Sequence, residues 1–109
     1  MKFAIAVDGP MVAPHFGRCE GYVLAEIDDG EIRSQERIDN PGHEPGRLPA
    51  MLHGYGVECI VAGGMGPRAI SLFETYGIAQ VTGVQGSAEE TLARLADGSL
   101  EGGESACHH

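Results

Sequence analysis

Tryptophan is absent from this 109-residue chain, and Phe and Tyr number three each. A core must therefore rest on Val, Ile, Leu, Ala and Met. Cations are scarce as well: seven Lys plus Arg stand against sixteen Asp plus Glu, a formal charge of −9. That balance argues against nucleic-acid binding driven by phosphate neutralisation and disfavours anionic surfaces. No apolar run approaches the roughly 20 residues of a membrane span. The opening MKFAIAVDGP turns to Asp8 too soon for a signal peptide, so a cytoplasmic protein is expected. The three cysteines, Cys19, Cys59 and Cys107, form no CxxC pair, and their odd number fits a reducing compartment better than a disulfide framework. This length predicts one domain, able to bury about two thirds of its unfolded surface without staples.

Glycine is abundant, with seventeen residues, and its placement is informative. In Cys59 to Arg68, CIVAGGMGPR, an apolar run enters a glycine cluster and then a proline. Apolar residues on both faces predict a buried parallel strand, and Pro67 fits a first helical turn, where its missing N–H costs nothing. Gly63, Gly64 and Gly66 allow a ligand close to the backbone, with the unpaired N–H groups of the new helix pointing at it.

Alternating elements surround this turn. Phe3 to Val7 reads as a central strand ending at Asp8-Gly9-Pro10, followed by loop. Tyr22 to Ile27 and Glu31 to Ile38 flank Asp28-Asp29-Gly30, a hairpin signal, and the charged alternation of the second run suits a blunted sheet edge. Asp39 to Arg47 is turn chemistry. Leu48, Met51, Leu52 and Tyr55 then form a short helical stripe, and Ala69, Ile70, Phe73 and Tyr76 a second one closed by Gly77. Ile78 to Val84 is a weaker strand. Ser87 with Glu90 makes a capping box for a third helix that stops at Gly98.

The order β-β-β-α-β-α-β-α predicts an α/β domain of ribonuclease-H-like, three-layer form, with a mixed five-stranded sheet whose N-terminal part is antiparallel. Residues 1–98 read as the domain; residues 99–109 are too polar and glycine-rich to pack and read as a flexible tail ending in Cys and His. Ligands of open sheets sit beyond the carboxyl ends of strands. The loops starting at Asp8 and Gly63 are thus expected to face each other across a cleft.

The first loop carries His15, Arg18 and Cys19, an imidazole, a guanidinium and a thiol within five positions. Imidazole and thiolate ligate Fe, Cu and Zn, and thiolate suits sulfide clusters. The absence of two short ligand pairs argues against a closed structural zinc site. Arg18, His43, Arg47, Arg68 and the amides near Met65 would supply local positive potential on a negative chain, and a thiol beside a helix start or Arg would have its thiolate favoured. Each has a plainer reading. His15-Phe16-Gly17 reads equally as a turn whose Phe plugs the core, Cys19 as a half-buried hydrophobe, Met65 as a gap-filler, His43 and His53 as solvated or structural imidazoles, and Asp8 as an Asx turn. Cys59 reads as core. The terminal Cys107-His108-His109 offers three soft ligands or an inert end.

GGMGPR lacks the Gly-Lys-Ser/Thr of a P-loop and the third glycine of the dinucleotide fingerprint. A two-metal nuclease needs several gathered carboxylates, and only Asp8 lies at a suitable strand end.

Three stretches, VDGPMVAPHFGRCEGYVLAEIDDGEI, the DNPG loop and GVECIVAGGMGPRAISLFETYGIAQV, resemble the dinitrogenase iron-molybdenum cofactor biosynthesis family, its NifX-type, NafY-core and NifB C-terminal-like domains. The likeness extends to about Leu95. It implies a ribonuclease-H-like domain that binds or carries an iron-molybdenum or iron-sulfur type cluster or its precursor; with the enzyme motifs missing, the expected role is a carrier, not an enzyme, delivering to a cofactor-assembly or recipient metalloprotein. Some relatives resemble proteins holding a molybdenum-copper sulfide cluster, and the purified form is expected to carry a cluster or none. Read from the residues beside that likeness, the candidate cofactor-binding set is His15, Arg18, Cys19, His43, Gly63, Gly64, Met65, Gly66 and Arg68, with His15, Cys19, Cys107, His108 and His109 as candidate metal ligands. The alternative is a small-anion or small-molecule regulatory module without metal, and a third reading is an enzyme working through a reactive Cys19.

Overall fold

The run Phe3–Val7 has no polar side chain, so it stays dry only in the middle of a sheet covered on both faces. In the computed structural model, which describes residues 1–42, 46–100 and 104–105, it forms the centre of strand β1 (Lys2–Asp8), with Ala4 to Val7 fully buried. The chain turns at Gly9 (φ 58°) into a two-residue strand β2 (Met11–Val12) that pairs back on β1. This segment was expected to be loop. It becomes a strand because Ala13 N–H donates to the Ala6 carbonyl (2.7 Å) and Val12 N–H to that of Gly86 (2.8 Å).

Strands β3 (Gly21–Asp28) and β4 (Glu31–Asp39) form the expected antiparallel hairpin. Both turn residues, Asp29 (φ 52°) and Gly30 (φ 76°), take positive φ, as the tightest hairpin turns require. Strand β4 is the sheet edge, and Glu31 to Arg37 are all exposed along it. Its charged side chains discourage pairing with another chain.

Helix α1 (Arg47–Gly54) leads into parallel strand β5 (Cys59–Val61); helix α2 (Pro67–Thr75) leads into β6 (Ala79–Thr82); helix α3 (Ala88–Asp97) follows. Ser87 caps α3 by accepting from Glu90 N–H at 3.0 Å, and Gly98 ends it at φ 79°. Two residues, Glu104–Ser105, form strand β7 against β6.

The sheet order is β4-β3-β1-β5-β6-β7 with β2 on β1, so the five longer strands are the ones expected, and β2 and β7 extend them. Each face has its own core. Helices α1 and α2 pack Leu48, Leu52 and Phe73 with Phe16, Tyr22, Leu24 and Ile60 on one side. Helix α3 packs Ala88 and Leu92 with Ile5, Val7, Cys59, Val61 and Val81 on the other. The result is a three-layer, mixed α/β domain. Tyr55, expected to close the α1 stripe on the core, is 43% exposed, because α1 ends at Gly54 and Tyr55 is only its cap. Cys59 is fully buried in β5, the core position expected of it. Cys19 is the free cysteine among the described residues.

Candidate functional site

The two loops at the carboxyl ends of β1 and β5 do meet, but they pack together instead of standing apart. Gly63 N–H donates to the Ala13 carbonyl (2.9 Å), and Phe16 N–H donates to that of Gly64 (2.9 Å). A Cβ on Gly63 would lie 2.8 Å from Pro14 Cα, and one on Gly64 would lie 3.1 Å from the Pro14 carbonyl oxygen. These two glycines therefore admit the neighbouring loop; the ligand approach expected of them is taken up by Pro14. Gly66 differs. Nothing lies within 4 Å of a Cβ built there, and it caps α2 with extended backbone and no side-chain partner.

Beside the joined loops, on the α1 and α2 side of the sheet, a cavity of about 550 Å³ opens between three walls. The first is His15 to Arg18, the second Gly46 with Leu48 and Pro49 at the start of α1, and the third runs from Met65 and Gly66 to Arg68, Ala69 and Leu72 at the start of α2. This volume is within the usual range for a small-molecule site. Of the residues singled out in the sequence, His15, Arg18, Met65, Gly66 and Arg68 come together here. The second wall was not foreseen; its signal was Gly46, which takes φ 78° as the α1 cap and turns the chain into the helix.

Among the described residues Arg18 and Arg68 have no ion pair, although both are exposed on a chain of charge −9. Other arginines are engaged: Arg37 with Glu20 (3.6 Å) and the Gly9 carbonyl (2.8 Å), and Arg33 with Glu31 (3.8 Å). Two uncompensated guanidinium groups beside the N-terminus of α2 make the cavity mouth attractive to anions.

Cys19 does not line the cavity. It is 5% exposed, and its thiol donates to the Phe16 carbonyl at 3.1 Å. Burial pushes this thiol up; the Asp8 carboxylate adds to the shift, and a hydrogen bond with Tyr22 opposes it. The favoured thiolate expected beside Arg18 is therefore replaced by a protonated, shielded thiol. On the Cys19 peptide, mass-spectrometric alkylation at pH 8 should run at least about tenfold slower in the folded protein than in urea. Equal rates would place the thiol at the surface. Because the folded thiol holds its proton above its ordinary value, its contribution to stability is full below that value and is lost as pH rises through the folded one.

Other singled-out residues have structural roles. The Asp8 carboxylate accepts from Glu20 N–H (2.9 Å) and the Glu20 carboxylate from Gly9 N–H (2.7 Å), closing the β1–β2 turn. His53 stacks on Tyr76 with ring centroids 4.7 Å apart. His43, Cys107, His108 and His109 lie outside the described residues. Among the described residues no group of three or more His, Cys, Asp or Glu is placed to hold a metal ion.

A mixed sheet flanked by two helices on one face and one on the other, with a cavity beside its loops, defines a three-layer mixed α/β domain. The family model described as dinitrogenase iron-molybdenum cofactor matches residues 1–98, and the chain belongs to that family. It is 35% identical over 106 residues to the uncharacterized protein MJ0580 of Methanocaldococcus jannaschii, covering 93% of this chain and 90% of that protein. The crystal structure of PH0822 matches with a TM-score of 0.86 at 32% identity, over 94% of this chain and 96% of that one. The apo form of the orange protein from Desulfovibrio gigas shares the fold, with a TM-score of 0.76 at 23% identity over 95% and 93% of the two chains. No helix among the described residues is long and apolar enough to cross a membrane.

Proposed function

We propose that this protein is a non-catalytic carrier that holds an iron-molybdenum or related metal-sulfide cluster, or its precursor, in the cavity between the His15 loop and the α1 and α2 starts. It would release that cargo in the cytoplasm to a recipient metalloprotein or an assembly protein. The supporting observation is the pair of uncompensated guanidinium groups, Arg18 and Arg68, on the rim of a 550 Å³ cavity in an otherwise acidic chain. Metal-sulfide clusters are commonly anionic, and charge-assisted contacts hold such cargo without many covalent bonds. His15 offers one imidazole and Met65 one thioether, so ligation is sparse. A preassembled cluster suits such a site better than a bare ion, which needs several converging donors. Sparse ligation also leaves the cargo removable.

The guanidinium pair beside the N-terminus of α2 suits a small anion equally, and that is the second reading, a small-anion module without metal. One experiment separates the two. The purified full chain is titrated anaerobically with tetrathiomolybdate, desalted, and followed by absorption and metal analysis. Retained molybdenum-sulfur absorption, weakened at least about tenfold in Arg68→Ala and again in Arg18→Ala, is the carrier result. Failure to retain the thiometallate, with phosphate or sulfate binding instead, would replace it by the anion module.

A further inference from the structure

The first cavity wall has no regular secondary structure of its own beyond the three-residue 3-10 turn Phe16–Arg18, and that turn has no side-chain cap. Its backbone carbonyls are nevertheless held from behind. The Phe16 carbonyl accepts two buried bonds, from the Tyr22 hydroxyl at 3.0 Å and the Cys19 thiol at 3.1 Å. The Asn40 amide donates to the Cys19 carbonyl at 2.9 Å and reaches that of Gly17 at 3.4 Å. Its own carbonyl oxygen accepts from Gly42 N–H at 3.0 Å, and Asn40 N–H donates to the Glu20 carbonyl at 3.0 Å. Tyr22 stands in β3 and Asn40 directly follows β4, so two strands of the rigid sheet reach the loop from its core side.

None of these three side chains lines the cavity. They act on carbonyls, not on cargo. A wall held by four hydrogen bonds at Phe16, Gly17 and Cys19 fixes the backbone that bears His15 and Arg18, and a binding site loses affinity when its supporting groups let it move.

We propose that Asn40 and Tyr22 are positioning residues of this cavity, fixing the His15 to Arg18 wall through the carbonyls of Phe16, Gly17 and Cys19. The inference rests on the anion-binding reading of the cavity, which Asn40 and Tyr22 never touch. It assigns the asparagine of the Asn40-Pro41-Gly42 turn a role beyond turn formation: its acceptor makes the turn and its donors hold the site.

The test is a double-mutant cycle with tetrathiomolybdate as probe, supported by amide hydrogen exchange. Asn40→Ala should weaken binding about tenfold, the effect of a lost pair of hydrogen bonds on a neighbouring site, and Tyr22→Phe should weaken it less, since Cys19 still donates to the Phe16 carbonyl. In an Arg18→Ala, His15→Ala background, Asn40→Ala should cost nothing further, because the side chains it positions are gone. A merely structural asparagine would give the same loss in both backgrounds, and that result overturns the proposal. Asn40→Asp keeps the acceptor for Gly42 and loses the donors. It should bind weakly at neutral pH and recover relative to the wild type as the introduced carboxyl gains a proton. Exchange decides the matter even when the wild type does not bind the thiometallate, a result that would sink the carrier reading alone. The amides of Phe16 and Arg18 should exchange about tenfold faster in Asn40→Ala while those of β1 stay unchanged; unchanged loop exchange overturns the positioning role.

Discussion

Phe16→Ala should lose about 3–5 kcal/mol of stability, a large part of what a domain this size possesses, and with it the cavity. Phe16 is 4% exposed, edge-on to Phe73 with ring centroids 5.0 Å apart and tilted against Tyr22 at 5.6 Å. With no tryptophan and six aromatic residues in all, the chain has little else to fill the space between the His15 loop and α2. Deleting the ring removes its transfer energy and leaves a hole bounded by β3 and α2, elements too rigid to collapse fully. The same ring lines the cavity. Urea unfolding measures the first effect and thiometallate titration the second. Phe16→Leu, which keeps much of the volume, should cost less, while a loss below about 1 kcal/mol in Phe16→Ala would mean that the loop is not seated in the core.

His15-Phe16-Gly17 is the turn whose Phe enters the core, the plainer of the readings that its sequence allowed. The phenyl plugs the core, as an apolar residue in a polar loop suggests, and the imidazole next to it is left on the cavity wall. A single sequence shows that one residue of such a triplet must go inward; which neighbours then face outward depends on the turn.

The parts of the fold that depend on local chemistry were legible. The Ser87 to Glu90 capping box, the Asp29-Gly30 turn and the Pro67 helix start each need only a few adjacent residues, and each stands where its pattern predicted. The arrangement of the sheet followed from the apolar runs and the order of elements. Tertiary partners were harder. Gly63 and Gly64 carry the same signal whether a ligand or another loop comes close, and here Pro14 does. Cys19 carries a thiol that suits a cluster equally well as a core, and its neighbour Tyr22 decides for the core by sharing the Phe16 carbonyl. The α1 wall was missed because Leu48 and Pro49 are ordinary helix-start residues; only the fold brings them beside Arg68. β2 was missed because two residues are too few for periodicity.

The acidic surplus also takes on a physical meaning once the arginines are located. A net charge of −9 repels anions at long range, but with a Debye length of about 8 Å at physiological salt this repulsion fades where Arg18 and Arg68 lie close to a bound ligand. On the proposed carrier reading, capture and release would be governed by the contact distance, and raising ionic strength should weaken the two guanidinium contacts more than it relieves the distant repulsion.

Gly63→Ala should be the most damaging addition of a single methyl group in the site, costing about 2–3 kcal/mol. The new carbon would stand 2.8 Å from Pro14 Cα, 3.0 Å from the Ala13 oxygen and 3.2 Å from the Pro14 oxygen, all backbone atoms that no rotamer change can move aside. Gly63 is also fixed on both sides, donating to Ala13 and accepting from Gly83 N–H, each at 2.9 Å. Relief therefore requires the β1 and β5 loops to separate, which pulls on the Phe16 to Gly64 hydrogen bond and displaces the first cavity wall. Gly66→Ala, three residues on, meets nothing within 4 Å and keeps an extended backbone at φ −74°, so it should lose no more than the modest preference for glycine over alanine at a helix cap. Both variants are compared by urea unfolding and by thiometallate titration. If contact between the loops builds the cavity, Gly63→Ala loses stability and affinity together, whereas Gly66→Ala, on the cavity wall itself, keeps its stability; equal loss of stability in the two would show that the loops do not hold each other.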